Sequence, residues 1–333
     1  MDYFSNEILD RVLESSELSE GFNALRLFLR YVFEIGPISS KDMSALIGIP
    51  LPVIASLRKE LEKNHILIRS NGMILSDLGL DLINQMGISN NINISEITSL
   101  DKISHQFEEL IPELEEICLT RPSYNPKIDQ SHVTIETSIK RVQYLIKNDA
   151  FEGRDILILG DDDLTSLAIL LCMRKFDIYP NNISVVDIDH RILDFIDCHY
   201  TQSTIKPKLV KVDLLEGIDK SLLGWHDVFI TDPPYTVDGF KLFVSNALKS
   251  LRSGAGNIGI ISFPNPPVGN YLLMQHSLIQ MGLLFREMIP GFNQYIGAPI
   301  HGGRTNLIRC TTSNQINIDV DVDLSKIYTH SRG

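Results

Sequence analysis

The chain has 333 residues, of which 44% are hydrophobic, and a formal net charge of −12. This length and composition suit about two globular domains with buried cores. No apolar run approaches the roughly 18 residues that span a bilayer, and the acidic start Met1–Ser5 is unlike a signal peptide, so we expect a cytoplasmic protein. The negative charge disfavours nucleic acid as a partner and favours polycations, although many cytoplasmic enzymes are acidic too.

The cysteines exclude two kinds of small scaffold. No Cys-x-x-Cys pair occurs, and the four thiols are far apart in the sequence, at Cys118, Cys172, Cys198 and Cys310. This spacing argues against both a disulfide framework and a zinc cage. Most of these residues are expected to be buried thiols.

Residues 1–90 are predicted to form a winged helix-turn-helix-like domain. Apolar residues from Leu25 to Val32 recur with helical spacing, and Gly36-Pro37 ends that helix. Two more helices, a hairpin and a last helix are predicted to follow, starting near Ser39 and covering residues 53–64, 65–76 and 77–86.

Such a domain often binds DNA through its third helix. From Phe22 to Gln85, however, there are seven Lys or Arg residues against six Asp or Glu residues, which makes no strong footprint for phosphates. A role in dimerisation or as a substrate lid is therefore favoured over DNA binding.

The rest of the chain is predicted to hold a connector, a catalytic domain and a tail. Residues 91–130 are polar, with an acidic helix near 108–116. In residues 131–312, strands alternate with helices, which predicts a Rossmann-like, doubly wound α/β sheet with an antiparallel edge. Within the tail, 313–333, residues 317–324 alternate acidic and aliphatic side chains, which indicates either a solvated edge strand or an acidic lid over the ligand.

Acidic residues follow several of the predicted strands. The strand Asp155–Leu159 runs into Gly160 and the three aspartates Asp161, Asp162 and Asp163, and the strand that ends at Thr231 runs into Asp232-Pro233-Pro234-Tyr235. Sheets of this class bind ligands beyond the carboxyl ends of their strands. Asp187 and Asp213 end two other strands, where they could bind ribose hydroxyls and an adenine amino group. Each could instead cap a loop or helix.

The three consecutive aspartates indicate the charge of the ligand. A methyltransferase that uses S-adenosylmethionine has a small glycine loop here, near the carboxylate of its cofactor. Three aspartates would repel that carboxylate but would attract decarboxylated S-adenosylmethionine, whose ammonium and sulfonium groups are both positive. A helix N-cap and a magnesium site are the alternatives for these residues.

The turn Asp232-Pro233-Pro234-Tyr235, which follows the strand that ends at Thr231, suits an amine substrate. In enzymes that modify amino nitrogens, the acid of such a motif holds the nitrogen and the aromatic ring packs against it. Asp232 and Tyr235 are therefore candidate substrate-binding residues, with a proline-rich turn as the structural alternative.

Taken together, Gly160-Asp161-Asp162-Asp163 and Asp232-Pro233-Pro234-Tyr235 behind a winged-helix-like domain resemble the branched-chain polyamine synthase family. These are the N4-bis(aminopropyl)spermidine synthases of thermophilic archaea and bacteria. The resemblance implies aminopropyl transfer from decarboxylated S-adenosylmethionine, as co-substrate, to the central amine of spermidine. It implies no metal.

The implied reaction needs a base, because an aliphatic ammonium group titrates near pH ~10 and has no lone pair while charged. Asp162 is the expected base and Asp232 its rival, with Asp161 and Asp163 orienting the substrate or capping the helix. Gly160, Asp187 and Asp213 are expected to bind the nucleoside. A homodimer is expected. The alternative function is an amino-group methyltransferase that acts on DNA or RNA.

Overall fold

The computed structural model describes residues 7–97, 99–100, 102–296 and 302–329, apart from the side chain of Ser95. The chain divides into two units, one made of the residues up to 90 with 254–256, and the other of 91–253 with 257–333. None of the helices in the described ranges combines the length and the apolar character needed to cross a membrane.

The first unit has five helices and a hairpin among its described residues. The elements are α1 (Glu7–Ser16), α2 (Phe22–Ile35), α3 (Ser40–Ile47), α4 (Leu51–Lys63), β1 (Leu67–Arg69), β2 (Met73–Leu75) and α5 (Asp77–Gln85). The hydroxyls of Ser39 and Ser76 cap α3 and α5 by accepting backbone N–H groups of their first turns. The sequence analysis did not predict α1, whose Leu9 and Val12 are fully buried.

The second unit contains one mixed sheet with helices on both faces. Its elements are α6 (His105–Glu108), α7 (Leu110–Cys118), α8 (Ile135–Lys147), β3 (Asp155–Leu159), α9 (Thr165–Phe176), β4 (Asn182–Asp187), α10 (His190–His199), β5 (Lys208–Lys211), β6 (Val228–Thr231), α11 (Val237–Ser250), β7 (Ile258–Phe263), α12 (Val268–Gln280), β8 (Leu283–Gln294) and β9 (Arg304–Thr312).

The strand order is β5-β4-β3-β6-β7-β9-β8. The five strands from β5 to β7 are parallel, and β9 and β8 add antiparallel pairs at one edge. This confirms the predicted Rossmann-like fold. The order reverses between β3 and β6, which creates the crevice where doubly wound sheets bind their ligands.

Alternate residues of β3 pack into different cores. Ile156 and Ile158 join the core beneath α8 and α9, whereas Leu157 and Leu159 join the core beneath α11 and α12. This alternation is the two-residue period of a strand buried on both faces. Because both faces of β3 are buried, its sequence is apolar at consecutive positions.

Two segments outside the sheet pack onto this unit. Phe107, Leu110 and Leu114, from the segment predicted as a connector, are buried in the core with α8 and α9. In the C-terminal segment, Ile327 is buried and its carbonyl accepts the Thr236 hydroxyl at 2.7 Å. The alternating residues 317–324 pair with no strand in the described part of the chain.

A buried ion cluster lies at the amino end of β3, opposite the crevice. Arg154 is 1% exposed and contacts Asp149 at 2.6 Å and Asp227 at 3.3 Å. Arg252 contacts Asp155 at 2.6 Å in the same region. Removal of one cation would leave buried carboxylates without their partner. The resulting loss of folding stability would exceed the net contribution of the intact ion pair to that stability.

We therefore expect Arg154→Met to lower the free energy of unfolding by about 3–5 kcal/mol. Denaturant unfolding followed by circular dichroism measures this change. Lys175→Met is the control, because Lys175 forms an exposed ion pair with Glu109 and its loss should change stability little. Equal effects of the two substitutions would contradict the assignment of Arg154 as a buried structural cation.

Candidate active site

A cavity lies at the carboxyl ends of β3, β4 and β6, beside the crevice between β3 and β6. It encloses about 540 Å³, including the part open to solvent. Its walls come from the strand ends, from the segment before α8, from α11 and from the C-terminal segment. The lining residues are Ile128, Asp129, Gln130, Gly160, Asp162, Val186, Asp187, Ile188, Val212, Leu214, Asp232, Pro234, Phe243 and Tyr328.

Asp162 is the one member of the three-aspartate motif that lines the cavity. Its Oδ2 accepts the backbone N–H of Ser131 at 3.1 Å. The pKa of Asp162 is raised well above its usual value, first because of burial and then because of the nearby Asp163, Asp187 and Asp232. A bound cation would stabilise the ionised form of this carboxylate, because it would offset the repulsion from the neighbouring like charges.

Asp161 and Asp163 are not among the residues that line the cavity. Of the two predicted roles, orienting the substrate or capping the helix, Asp161 takes the second. Asp161 is fully buried and accepts the Ser166 N–H at 3.2 Å, so it caps the first turn of α9. Burial raises its pKa to about 8. Asp163 accepts the Val133 N–H at 2.8 Å and forms an ion pair with Arg141. The left-handed φ of 75° at Gly160 and 56° at Leu164 turns the loop in this way.

Arg141 connects the two acidic motifs, and the sequence analysis gave it no role. Its side chain on α8 is 4% exposed; Nη1 donates to Asp163 Oδ2 at 2.6 Å and Nη2 to Asp232 Oδ2 at 2.9 Å. Nη2 also donates to Ser262, and Nε donates to Asn293 Oδ1 at 3.0 Å. The sequence holds a signal for this residue that was missed. The helical spacing of apolar residues in α8 places the cation Arg141 on the buried face of the helix.

Asp232 has three side-chain donors. Besides Arg141, the Tyr295 hydroxyl donates to its Oδ2 at 2.5 Å and the Tyr235 hydroxyl to its Oδ1 at 3.3 Å. Burial raises the pKa of Asp232 to about 6, with the Arg141 charge opposing that rise. Tyr235 contacts Asp232 but is not among the residues that line the cavity. Tyr295 was not predicted at all.

Of the two acids predicted to bind the nucleoside, Asp187 lies in the cavity and Asp213 does not. Asp187 accepts the N–H groups of Asp161 at 2.9 Å and Asp189 at 2.8 Å. Asp213 accepts the Leu215 N–H at 3.1 Å and caps a short 3-10 helix. Because β5 ends at Lys211, earlier than predicted, the neighbouring Val212 and Leu214 face the cavity instead.

Several backbone donors of the loop after β3 are already engaged. The Gly160 N–H donates to the Val186 carbonyl at 2.8 Å, the Asp161 N–H to Asp187, and the Ser166 N–H to Asp161. In many nucleotide-binding sheets such groups bind the anionic part of a ligand. Here the N–H groups of Asp161 and Ser166 bind carboxylates of the protein itself, and the Gly160 N–H binds a carbonyl of β4.

A search for metal ligands gives no site within the described ranges. No group of three or more His, Cys, Asp or Glu side chains there could hold a metal ion. The magnesium alternative for the three aspartates therefore gains no support from their geometry.

Residues 109–331 match the family described as the branched-chain polyamine synthase A C-terminal domain. The chain is 34% identical to an uncharacterized protein of Methanocaldococcus jannaschii, over 97% of this chain and 81% of that protein. It is 30% identical to the N(4)-bis(aminopropyl)spermidine synthase of the same organism, over 87% of this chain and 82% of the relative. The corresponding synthase of Thermococcus kodakarensis is 29% identical, over 74% and 71% of the two chains.

A solved structure supports the fold. The branched-chain polyamine synthase from Thermus thermophilus, crystallised with N4-aminopropylspermidine and 5′-methylthioadenosine, matches with a TM-score of 0.56. The match covers 98% of this chain and 97% of that chain at 19% identity. From the family match and the sequence relatives, the chain belongs to the branched-chain polyamine synthase family and is a transferase.

Proposed function

We propose that the protein transfers aminopropyl groups from decarboxylated S-adenosylmethionine to the central amine of spermidine. The products are N4-aminopropylspermidine, N4-bis(aminopropyl)spermidine and methylthioadenosine. The observation that carries this proposal is the convergence of Asp162, Asp187 and Asp232 on one cavity. The names of the relatives, and the product and nucleoside bound by the Thermus protein, support the same reaction.

The walls of the cavity suit a cationic nucleoside. Ile188, Val212, Leu214 and Phe243 provide apolar surface for an adenine ring, and Asp187 provides an acceptor for ribose hydroxyls. The aspartates would repel a ligand carboxylate, and the N–H groups of Gly160, Asp161 and Ser166 already have acceptors in the protein. A donor without that carboxylate fits better.

The hydrogen bonds assign different roles to the two catalytic candidates. Asp232 accepts hydrogen bonds from Arg141, Tyr295 and Tyr235. These donors stabilise its anionic form and so make it a weaker base. Among the described residues, only the Ser131 N–H donates a hydrogen bond to Asp162. Asp162 is therefore the base, and Asp232 holds a cationic or polar part of the acceptor.

Ligand binding prepares Asp162 for this role. Burial and the surrounding aspartates raise the pKa of Asp162, which disfavours its ionised form. A sulfonium and the ammonium groups of a polyamine add positive charge beside it, which lowers its pKa and releases the proton. The ionised carboxylate can then take a proton from the central ammonium of spermidine.

Loss of this proton leaves the central nitrogen of spermidine with a lone pair that can react. The amine nitrogen attacks the aminopropyl carbon bonded to sulfur; the N–C bond forms as the C–S bond breaks, and the electron pair stays on sulfur in methylthioadenosine. In the second transfer, the tertiary amine must again be neutral, but bond formation gives a quaternary ammonium and releases no proton. Positioning therefore dominates that step.

Further parts of the chain have proposed roles. The first unit serves dimerisation or covers the substrate, in a homodimeric protein. The C-terminal segment acts as a lid, because Tyr328 lines the cavity and both the backbone N–H and the hydroxyl of Thr329 donate to Asp129 at 2.8 Å. The backbone carbonyls of Ile327 and Asp321 in this segment accept hydrogen bonds from the side chains of Thr236, at the start of α11, and Lys241.

Product masses test the proposed reaction. The purified protein is incubated with spermidine and either decarboxylated S-adenosylmethionine or S-adenosylmethionine, and separately with DNA or RNA and S-adenosylmethionine. We expect one and then two aminopropyl additions to spermidine with the decarboxylated donor alone. Methylated nucleic acid without aminopropylated spermidine would instead establish the alternative function.

Asp162→Asn is expected to lower kcat by at least about 100-fold, because the amide cannot accept the proton. Its shape is nearly unchanged, so the melting temperature and the affinity for methylthioadenosine should stay close to wild type. Asp161→Asn is the matched control, because Asp161 is buried, outside the cavity and mostly uncharged at neutral pH. Wild-type turnover in Asp162→Asn would transfer the base to Asp232.

Asp187→Ala is expected to raise the Kd for methylthioadenosine by about tenfold to 150-fold, through loss of a charged acceptor worth roughly 1.5–3 kcal/mol. Isothermal titration calorimetry measures the change. Asp213→Ala is the control and should bind like wild type, because Asp213 lies outside the cavity lining. The reverse pattern would assign the nucleoside contact to Asp213.

A further inference from the structure

One buried guanidinium holds two of the carboxylates around the cavity. Arg141 donates to Asp163 through Nη1 and to Asp232 through Nη2, at 2.6 and 2.9 Å. Its remaining contacts are neutral oxygens of Ser262 and Asn293. Every nitrogen of the guanidinium thus has an acceptor, and the side chain has no room to rotate away.

The acceptors of Arg141 are themselves fixed. Asn293 Nδ2 donates to the Ser262 hydroxyl at 3.1 Å and to the Thr305 hydroxyl at 3.0 Å. The Tyr295 hydroxyl lies 3.2 Å from Thr305 and donates to the same Asp232 oxygen that receives Arg141. This network holds Asp232 Oδ2 from the side of β8 and β9, and Oδ1 accepts the Tyr235 hydroxyl.

Arg141 contacts Asp163 and Asp232, whereas Asp162 accepts a hydrogen bond from the backbone N–H of Ser131. We propose that Arg141 is a positioning residue that keeps Asp232 ionised and fixed, and so leaves proton acceptance to Asp162. This inference rests on the proposed aminopropyl transfer and explains how one site can contain both a stable anion and a base.

The charged and titratable groups around each carboxylate support this division. Asp232 faces Arg141 from α8, Asp163 from the loop after β3, Tyr235 from its own turn and Tyr295 from the end of β8. Arg141 and the Tyr295 hydrogen bond lower the pKa of Asp232 against the larger effect of burial, which leaves it at about 6.

Asp162 has a different set of neighbours. It faces the aspartates 161, 163, 187 and 232, all of which raise its pKa in addition to burial, and no cation is among the causes. Arg141 therefore favours the ionised form of Asp232, whereas the charges nearest Asp162 disfavour its ionisation. Without Arg141, Asp232 would lose the charge that favours its ionised form, and the acceptor would lose its anionic anchor.

Carbon-13 NMR of proteins labelled at the aspartate carboxyls tests the inference without using activity. The Asp232 and Asp162 signals are assigned by their loss in Asp232→Asn and Asp162→Asn. In Arg141→Met, Asp232 should titrate about one pH unit or more above its wild-type value. The acidic limb of spermidine turnover with decarboxylated S-adenosylmethionine should move in the same direction.

Arg252→Met is the matched control, because Arg252 also lies near two aspartates, at 2.6 Å from Asp155 and 3.9 Å from Asp227, on the opposite edge of the sheet. It should leave the Asp232 titration unchanged. A purely structural Arg141 would lower stability without moving that titration.

Two further measurements keep the inference testable if Arg141→Met does not fold. Arg141→Met/Asp163→Asn leaves no unpaired Asp163 charge, and Asp232 should still titrate higher, because Arg141 lowers the pKa of Asp232 more than Asp163 raises it. In the wild type, Asp162 must titrate above Asp232. An unmoved Asp232 titration in the folded variants, or the reverse order in the wild type, would overturn the inference. Absence of aminopropyl transfer by a wild type with the expected titrations would overturn only the proposed function.

Discussion

The site depends on the burial of several carboxylates around one guanidinium. Charged groups that leave water need partners, and Arg141 provides one for Asp163 and for Asp232. It also joins two motifs that are distant in the sequence, the loop after β3 and the turn after β6. Asp162, in the first of these motifs, forms no ion pair within the described part of the chain and is surrounded by aspartates, so a positively charged ligand would stabilise its ionised form.

The sheet explains why these motifs meet. β3 and β6 are parallel neighbours, with Leu159 paired with Thr231, so Gly160 and Asp232 leave the same edge at the same level. Asp187 follows from β4, on the other side of β3. A fold that commonly binds nucleotides through a glycine loop has here an acidic edge, which suits a nucleoside with a positive tail.

The alternation of strands and helices was enough to predict the parallel sheet, its antiparallel edge and the acids at the strand ends, because these follow from local periodicity. The directions of Asp161 and Asp163 could not be predicted, since they depend on left-handed backbone at Gly160 and Leu164. Arg141 and Tyr295 reach the site from α8 and from the end of β8, and only the tertiary packing brings them there. Asp213 lies outside the cavity lining, beyond the end of β5 at Lys211, and its contact with Leu215 fits the predicted alternative that this acid caps a helix.

The central claim is that the cavity selects its donor by charge. Isothermal titration calorimetry with decarboxylated S-adenosylmethionine and S-adenosylmethionine, at neutral pH, tests it directly because the two ligands differ only in one carboxylate. The account predicts that the decarboxylated ligand binds at least about 100-fold more tightly, which corresponds to roughly 3 kcal/mol. Equal affinities, or tighter binding of S-adenosylmethionine, would contradict it.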